Sequence, residues 1–443
     1  MKKKTILILS IVLAPAFFIS FLLFKIIFFD FEKLQTQLDI MKADIKVIQK
    51  NTKLKIGEMF FSSKITSNKQ KNKFLLEKYY LPFKPYYPGG LKAVGYLELV
   101  NDKIIFTNST GNFFYFNTED LGKKSIKFNS IPNNLKDIIK NTNFWKNDST
   151  HSIKDIQVFD NELFVSYTRE VKKHCFNTSI LKSKLDLNKL IFEEFFIPDL
   201  CAMEIEHGSE VNGREYLDHL SGGRIEGYKN KLLFSHGDYQ QRSWAQDDNL
   251  IFGKILLIDP KTKKVEHFSK GHRNPQGLLY MEDKDIILES EHGPVGGDEV
   301  NRILKDKNYG WPVSSYGNLP SGNFEGGRND PIPKKTHLDH GFVEPLKYFV
   351  PSPGISELIY VPKKFNKKDN NILVGTMGRK KSKPYVYKAV MDMEFNGDFS
   401  KLIKFDEIVI NERIRDMVYV DSKNIVVLVL ENTPSIAILK RVD

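Results

Sequence analysis

Between residues 94 and 440 the sequence repeats one short pattern, an apolar β-prone run, a tight Asn, Asp or Lys turn, a second run, and one or two more. The first unit takes in 94–100, 104–107 and 113–117, with its turn at Asn101 and Asp102. Later units begin at 153, 223, 276, 355 and 414. The third adds runs at 253–259 and 265–268, and the fifth ends with a run at 385–390. Such meanders, with no strong amphipathic helix between them, predict an all-β chain. Six repeats of one unit favour a six-bladed β-propeller, whose radial closure protects sheet edges. A β-sandwich seldom needs so many copies of one pattern.

The N-terminus follows a different rule. Lys2, Lys3 and Lys4 precede an uncharged run at 5–24, which Lys25 interrupts before the apolar 26–29. About 20 apolar residues let a helix cross the hydrocarbon core. The only small-residue cleavage candidate, Ala14-Pro15-Ala16, sits inside the run ahead of Phe17 and Phe18, so an uncleaved anchor over residues 1–29 is expected rather than a signal peptide. The preceding lysines place the N-terminus in the cytoplasm and the rest outside the inner membrane, in the periplasm or beyond. Phe31, Leu34, Leu38, Met41, Ile45 and Ile48 then recur at spacings of three and four. This is either a short coiled-coil stalk that pairs copies of the chain or one amphipathic helix lying on its own domain or on lipid. The polar stretch 62–73 reads as linker, so residues 30–80 are expected as helical stalk and linker, and 81–443 as propeller.

The net charge of +11 is spread over lysine pairs such as Lys123-Lys124 and Lys334-Lys335. No arginine-aromatic stripe concentrates it, which argues against a nucleic-acid partner. The two cysteines, Cys175 and Cys201, are expected to pair in an exported protein, against the alternative of two buried thiols.

Three segments concentrate polar and glycine residues where one unit ends and the next begins: Gly271-His272-Arg273-Asn274-Pro275-Gln276-Gly277, then 291–299 from Glu291 through Gly293, Pro294, Asp298 and Glu299, then Asn308-Tyr309-Gly310-Trp311-Pro312. Loops at one end of a rigid scaffold are where function collects. Arg273 and Asn274 suit an anion, and carbonyls at Gly293 and Pro294 suit a hard cation such as calcium. The same residues also fit turn chemistry closed by a salt-bridge network.

In their order and spacing these segments resemble the soluble quinoprotein glucose dehydrogenases and aldose sugar dehydrogenases, the glucose/sorbosone dehydrogenase family, most closely over 218–311. The resemblance implies a six-bladed propeller that uses pyrroloquinoline quinone (PQQ) with calcium (Ca2+) to oxidise an aldose to its lactone. It implies quinone contacts from Arg273, Asn274 and Gln276. PQQ carries three carboxylates, for which a guanidinium fork is a fitting partner. It implies calcium ligation by the carbonyls of Gly293 and Pro294, with Glu299 and Tyr309 at a second, structural calcium. His219, in the segment Asp218-His219-Leu220-Ser221-Gly222-Gly223-Arg224, would be the general base, with Asp218 orienting it. Arg413 and Arg415 match an Arg-x-Arg-Asp segment and, two apart on a strand, share a face.

At two family positions this chain carries other residues. A substrate-contacting Gln is replaced within 149–152, where His151 stands nearby, and Gly378 falls near a quinone-contacting Lys. The expected activity is PQQ- and calcium-dependent oxidation of a sugar on the outer face of the membrane, with electrons passed to a membrane acceptor. Two alternatives stay open: a propeller without quinone chemistry that binds or scaffolds, and a calcium-dependent lactonase-type hydrolase.

Overall fold

The computed structural model describes residues 73–81, 95–140, 152–173, 175–203, 220–318, 333–378, 388–432 and 434–442, and the backbone of strand β1 (Met59–Gln70). After β2 (Phe74–Tyr80) the strands run in antiparallel meanders, each starting at the centre and stepping outward. Blade one is β3 (Gly95–Val100), β4 (Lys103–Asn108), β5 (Phe113–Asn117) and β6 (Ser125–Ile131). Blade two is β7 (Ile153–Phe159), β8 (Glu162–Lys172), β9 (Cys175–Lys184) and β10 (Glu193–Phe196), with the short β11 (Ala202–Met203) added to β9.

Blade three is β12 (Gly222–Tyr228), β13 (Lys231–His236), β14 (Lys254–Ile258) and β15 (Val265–Lys270). Blade four is β16 (Pro275–Met281), β17 (Ile286–Glu291), β18 (Asp298–Ile303) and, after the two-residue β19 (Lys307–Asn308), β20 (Lys347–Phe349). Blade five is β21 (Ile355–Val361), β22 (Asn371–Thr376), β23 (Ala389–Phe395) and β24 (Leu402–Val409). Blade six is β25 (Ile414–Val420), β26 (Ile425–Leu430), β27 (Ser435–Arg441) and, as its outer strand, β2. The inner strands β3, β7, β12, β16, β21 and β25 neighbour one another around a closed ring. The expected six-bladed, all-β architecture is therefore present.

The ring closes through strands far apart in sequence. β2 pairs antiparallel with β27 from Phe74↔Arg441 to Tyr80↔Ser435, so the chain's early part completes its last blade. β1 pairs with β6 of blade one on one side and with β2 on the other, which joins two blades at their outer edges. This corrects the linker reading of 62–73 and the propeller start at 81, because residues 62–70 lie in β1, paired with β2 and β6, and β2 itself completes the last blade. Composition alone does not show such pairing. The third strand of the fifth unit also lies later than expected, at Ala389–Phe395, where Val390, Met391, Met393 and Phe395 are buried, and a fourth strand follows it.

The expected anchor over 1–29 and the stalk pattern from Phe31 to Ile48 lie outside the described residues. No described helix is long and apolar enough to cross a membrane. Cys175 and Cys201 are joined by a disulfide that ties the start of β9 to the chain beside β11.

Alternate strand residues fill the spaces between blades with aliphatic and aromatic side chains, as in the cluster of Phe164, Phe195, Phe234 and Leu256 between blades two and three. Arg224, on β12, occupies the centre. Its guanidinium reaches Asp155 on β7 at 3.0 Å, Glu357 on β21 at 2.6 Å and Asp416 on β25 at 3.0 Å. Its Nε donates to the Gln276 carbonyl on β16, and Asp416 accepts the Leu97 amide of β3. One side chain and its acids therefore touch all six inner strands.

Candidate active site

Strand register brings the three motif segments together. Pro275 on β16 faces Glu291 on β17, which joins the end of the first motif to the start of the second. β19 lies parallel to β15, with Lys270 opposite Asn308, so the third motif runs beside the first. The turn at Gly271 has φ +79°, and a Cβ there would stand 2.2 Å from Asn308 Oδ1, so glycine is required.

Arg273 is almost fully buried and anchors the site. Its amide donates to Glu291 Oε2 at 2.7 Å, and its Nη1 donates to the carbonyls of His292 (3.0 Å) and Gly293 (2.9 Å). The guanidinium lies 5.3 Å from the Trp311 ring centroid. Trp311 in turn donates its indole N–H to Asp238 at 2.7 Å. Burial lowers the Arg273 pKa from its ordinary value, opposed by the nearby Asp238 charge. Burial raises Asp238 to about 6, with Arg273 holding it down.

A chain of amide contacts runs from Arg273's neighbour to blade six. Asn274 Nδ2 lies 3.4 Å from His292 Nδ1. Gln276 Nε2 donates to Asn274 Oδ1 at 3.0 Å, and Arg415 Nη1 donates to Gln276 Oε1 at 3.4 Å. Arg413 and Arg415 do share a face, each donating its Nε to one oxygen of the buried Glu431 at 2.6 Å. Although burial raises it, the two guanidinium groups hold the Glu431 pKa below the ordinary value. Arg273, Asn274, Gln276 and Arg415 therefore form one connected group, with Arg413 next to it.

Gly293, Glu299 and Tyr309 line one small cavity with Arg273, Trp311 and His337. Pro294 is half-buried against Gly317. Glu299 Oε1 lies 3.2 Å from His337 Nε2. Burial disfavours the charge on that imidazole, yet the bond to Glu299 keeps its pKa above the ordinary value. The Tyr309 hydroxyl donates to the Arg302 carbonyl at 2.6 Å and accepts from the Leu304 amide at 2.9 Å. Its oxygen is thus committed to blade four, and only the Tyr309 carbonyl is suited to a metal.

His219 and Asp218 lie outside the described residues, as does His151. The chain resumes at Leu220, whose carbonyl accepts the Tyr239 amide at 3.2 Å. The Asp238 amide next to it donates to the Arg273 carbonyl at 3.0 Å, and the Gly222 amide donates to Asn274 Oδ1 at 3.3 Å. Residues just after His219 are thus bonded to the Arg273–Asn274 loop. Sequence reasoning missed Asp238, Glu431 and His337. Their signal is spatial, since each stands far along the chain from the residue it holds.

A family model described as Glucose / Sorbosone dehydrogenase matches residues 158–439. The chain is 30% identical over 217 residues to an aldose sugar dehydrogenase of Escherichia coli strain K12, covering 45% of this chain and 54% of that protein. It thus spans about half the length of that curated relative. It is 33% identical over 130 residues to quinoprotein glucose dehydrogenase B of Acinetobacter calcoaceticus, covering 22% of this chain and 27% of that one. Among solved structures, the apo form of the soluble aldose sugar dehydrogenase of Escherichia coli aligns with TM-score 0.59 at 23% identity, over 80% of this chain and 96% of that chain. The PQQ-bound form of an aldose sugar dehydrogenase from Streptomyces coelicolor aligns with TM-score 0.54 at 15% identity, over 84% and 100%. These two likenesses concern the fold.

Proposed function

Because this chain belongs to the glucose/sorbosone dehydrogenase family, we propose that it oxidises an aldose sugar at its anomeric carbon to the lactone, using PQQ with calcium. The observation that carries this reading is the connected group of Arg273, Asn274, Gln276 and Arg415, assembled from blades four and six and the loop before blade four. Two guanidinium groups in that group, with Arg413 beside them, match a cofactor that carries three carboxylates. PQQ supplies the two-electron acceptor, and calcium beside it supplies Lewis acidity.

The residues of the chain divide the remaining work. Arg273, Arg415 and Arg413 hold the acidic cofactor, while Asn274 and Gln276 fix its orientation. Gly293 and Pro294 offer backbone oxygens to calcium. Arg273 Nη1 donates to the Gly293 carbonyl at 2.9 Å, so that oxygen would serve calcium only with the guanidinium turned toward the cofactor. Glu299 and the Tyr309 carbonyl belong to a second calcium. His219 takes the proton from the anomeric hydroxyl, with Asp218 orienting the imidazole. The N-terminal run at 1–29 anchors the protein in the inner membrane, with the propeller on the periplasmic side and a membrane acceptor receiving the electrons. The disulfide agrees with an oxidising compartment.

The test is a titration of the purified full-length protein with PQQ in the presence of calcium. Saturable binding at micromolar PQQ supports the reading, and no binding rejects it. Binding without reduction of a dye by any of a panel of aldoses leaves the binding-module alternative.

A further inference from the structure

We propose that a divalent cation of borderline hardness, Mn2+ or Zn2+, binds in a fully buried site formed by His272, Glu289, Glu291 and Asn301. The site joins the loop before blade four to the middle strands of that blade. It does not depend on the quinone reading and uses none of the calcium ligands proposed above, although Glu291 stands opposite Glu299 in the register.

The strands place the donors. Glu289 and Glu291, two apart on β17, share one face. Asn301 on β18 stands directly opposite Glu289 in the register. His272 packs over them from the loop between β15 and β16. One imidazole nitrogen of His272 and one carboxylate oxygen from each of Glu289 and Glu291 all lie within 4.8 Å of one another. Three donors bonded to one ion at about 2.1 Å stand roughly 3.4–3.6 Å apart. His272 Nδ1 and Glu291 Oε1, 3.7 Å apart, are already near that spacing, and the Glu289 oxygen closes by up to about 1 Å to join them.

The polar atoms here are left in need of a partner. His272, Glu289 and Asn301 are fully buried. Yet His272 Nδ1, Glu289 Oε1 and Asn301 Oδ1 have no hydrogen-bond partner. Buried polar atoms are rarely left so, because each forfeits its bonds to water. Among the described residues no Lys or Arg forms an ion pair with Glu289 or Glu291. Asn301 Nδ2 donates to Glu289 Oε2 at 3.1 Å and approaches Glu291 Oε1 at 3.4 Å. A cation turns this carboxamide so that Oδ1 becomes a fourth ligand.

His272 is already held as a ligand would be. Its Nε2 is 2.8 Å from Ser269 Oγ, and its ring stacks on Tyr309 with centroids 4.8 Å apart. Ligating histidines commonly secure the second nitrogen in this way. A set of one imidazole, two carboxylates and one amide suits Mn2+ or Zn2+ better than Ca2+, which takes six to eight oxygens. The rival occupant is a proton on Glu289, which burial and Glu291 both favour by raising its pKa.

The full-length protein, stripped with a chelator and dialysed against Mn2+, is compared with the variant Glu289→Leu by counting metal per chain. The wild type is expected to hold one more Mn2+ than the variant and to melt several degrees higher when Mn2+ is added, with no such rise in the variant. Equal metal content in the two proteins overturns the proposal and leaves the shared proton. Should the variant not fold, the anomalous signal of Mn2+ in wild-type crystals decides. A peak within bonding distance of His272 Nδ1 and the Glu289 carboxylate sustains the site, and a peak only elsewhere, or none, overturns it. None of these outcomes depends on PQQ binding.

Discussion

Arg224 on blade three and Glu357 on blade five, with blade four between them, meet at 2.6 Å. Asp155 and Asp416 flank the same guanidinium, each at 3.0 Å. One positive charge therefore serves three buried carboxylates. Removing the cation leaves those carboxylates without compensation. Arg224→Leu is expected to destabilise the protein by about 3–5 kcal/mol, the range for breaking a buried ion pair from one side. Denaturant unfolding followed by circular dichroism measures it, and a loss below about 1 kcal/mol contradicts the role of Arg224 as the hub.

The same cluster predicts a pH dependence. Burial, with Asp416 adding to it and Arg224 opposing it, raises the Asp155 pKa from 3.8 to about 7. The folded state then binds more protons at this site than the unfolded state between those values. The contribution of Asp155 to stability is thus present at low pH and is lost as pH rises from about 4 to about 7. Asp155→Asn is expected to flatten that part of the stability profile. A profile of unchanged slope over this window contradicts the assignment.

At the candidate cofactor site, Arg273 and Arg415 make charge-assisted bonds of the kind worth about 1.5–3 kcal/mol. Arg273→Met and Arg415→Met are each expected to weaken PQQ binding by roughly 10- to 100-fold at constant salt. A fluorescence titration reads the change. Equal affinity in both variants removes these arginines from the cofactor site.

The Cys175–Cys201 bond closes a loop with a sequence separation of 26. By the chain-entropy argument its loss costs roughly 3 kcal/mol. Cys175→Ser with Cys201→Ser is expected to lower the unfolding free energy by about that amount, with the propeller still folded. Thermal unfolding of the double variant against the oxidised wild type checks this.

Much of the fold was legible because each blade is local. Turns such as Asn101-Asp102 and Asp160-Asn161, with positive φ at Asn101 and at both residues of the second pair, mark hairpins whose strands lie side by side. The outer closure was not legible, because β2 pairs with β27 across nearly the whole chain and neither strand carries the other's signature. In the candidate site Arg273, Asn274 and Gly293 stood out by residue type and Gln276 by the family resemblance, and the hairpin of β16 and β17 brings them together. Glu431 and His337 did not, since the arginine pair and Glu299 meet them only after the blades have packed. Nothing in the sequence marks Glu289, an acidic residue in an apolar strand; its fully buried position opposite Asn301 is what sets it apart.

The most direct measurement is sugar-dependent dye reduction by the full-length protein loaded with PQQ and calcium, alongside His219→Ala. The account predicts turnover with at least one aldose in the wild type, and in the variant a loss of roughly 100-fold or more with PQQ still bound. Undiminished turnover in His219→Ala, or a wild type that binds no PQQ, contradicts it.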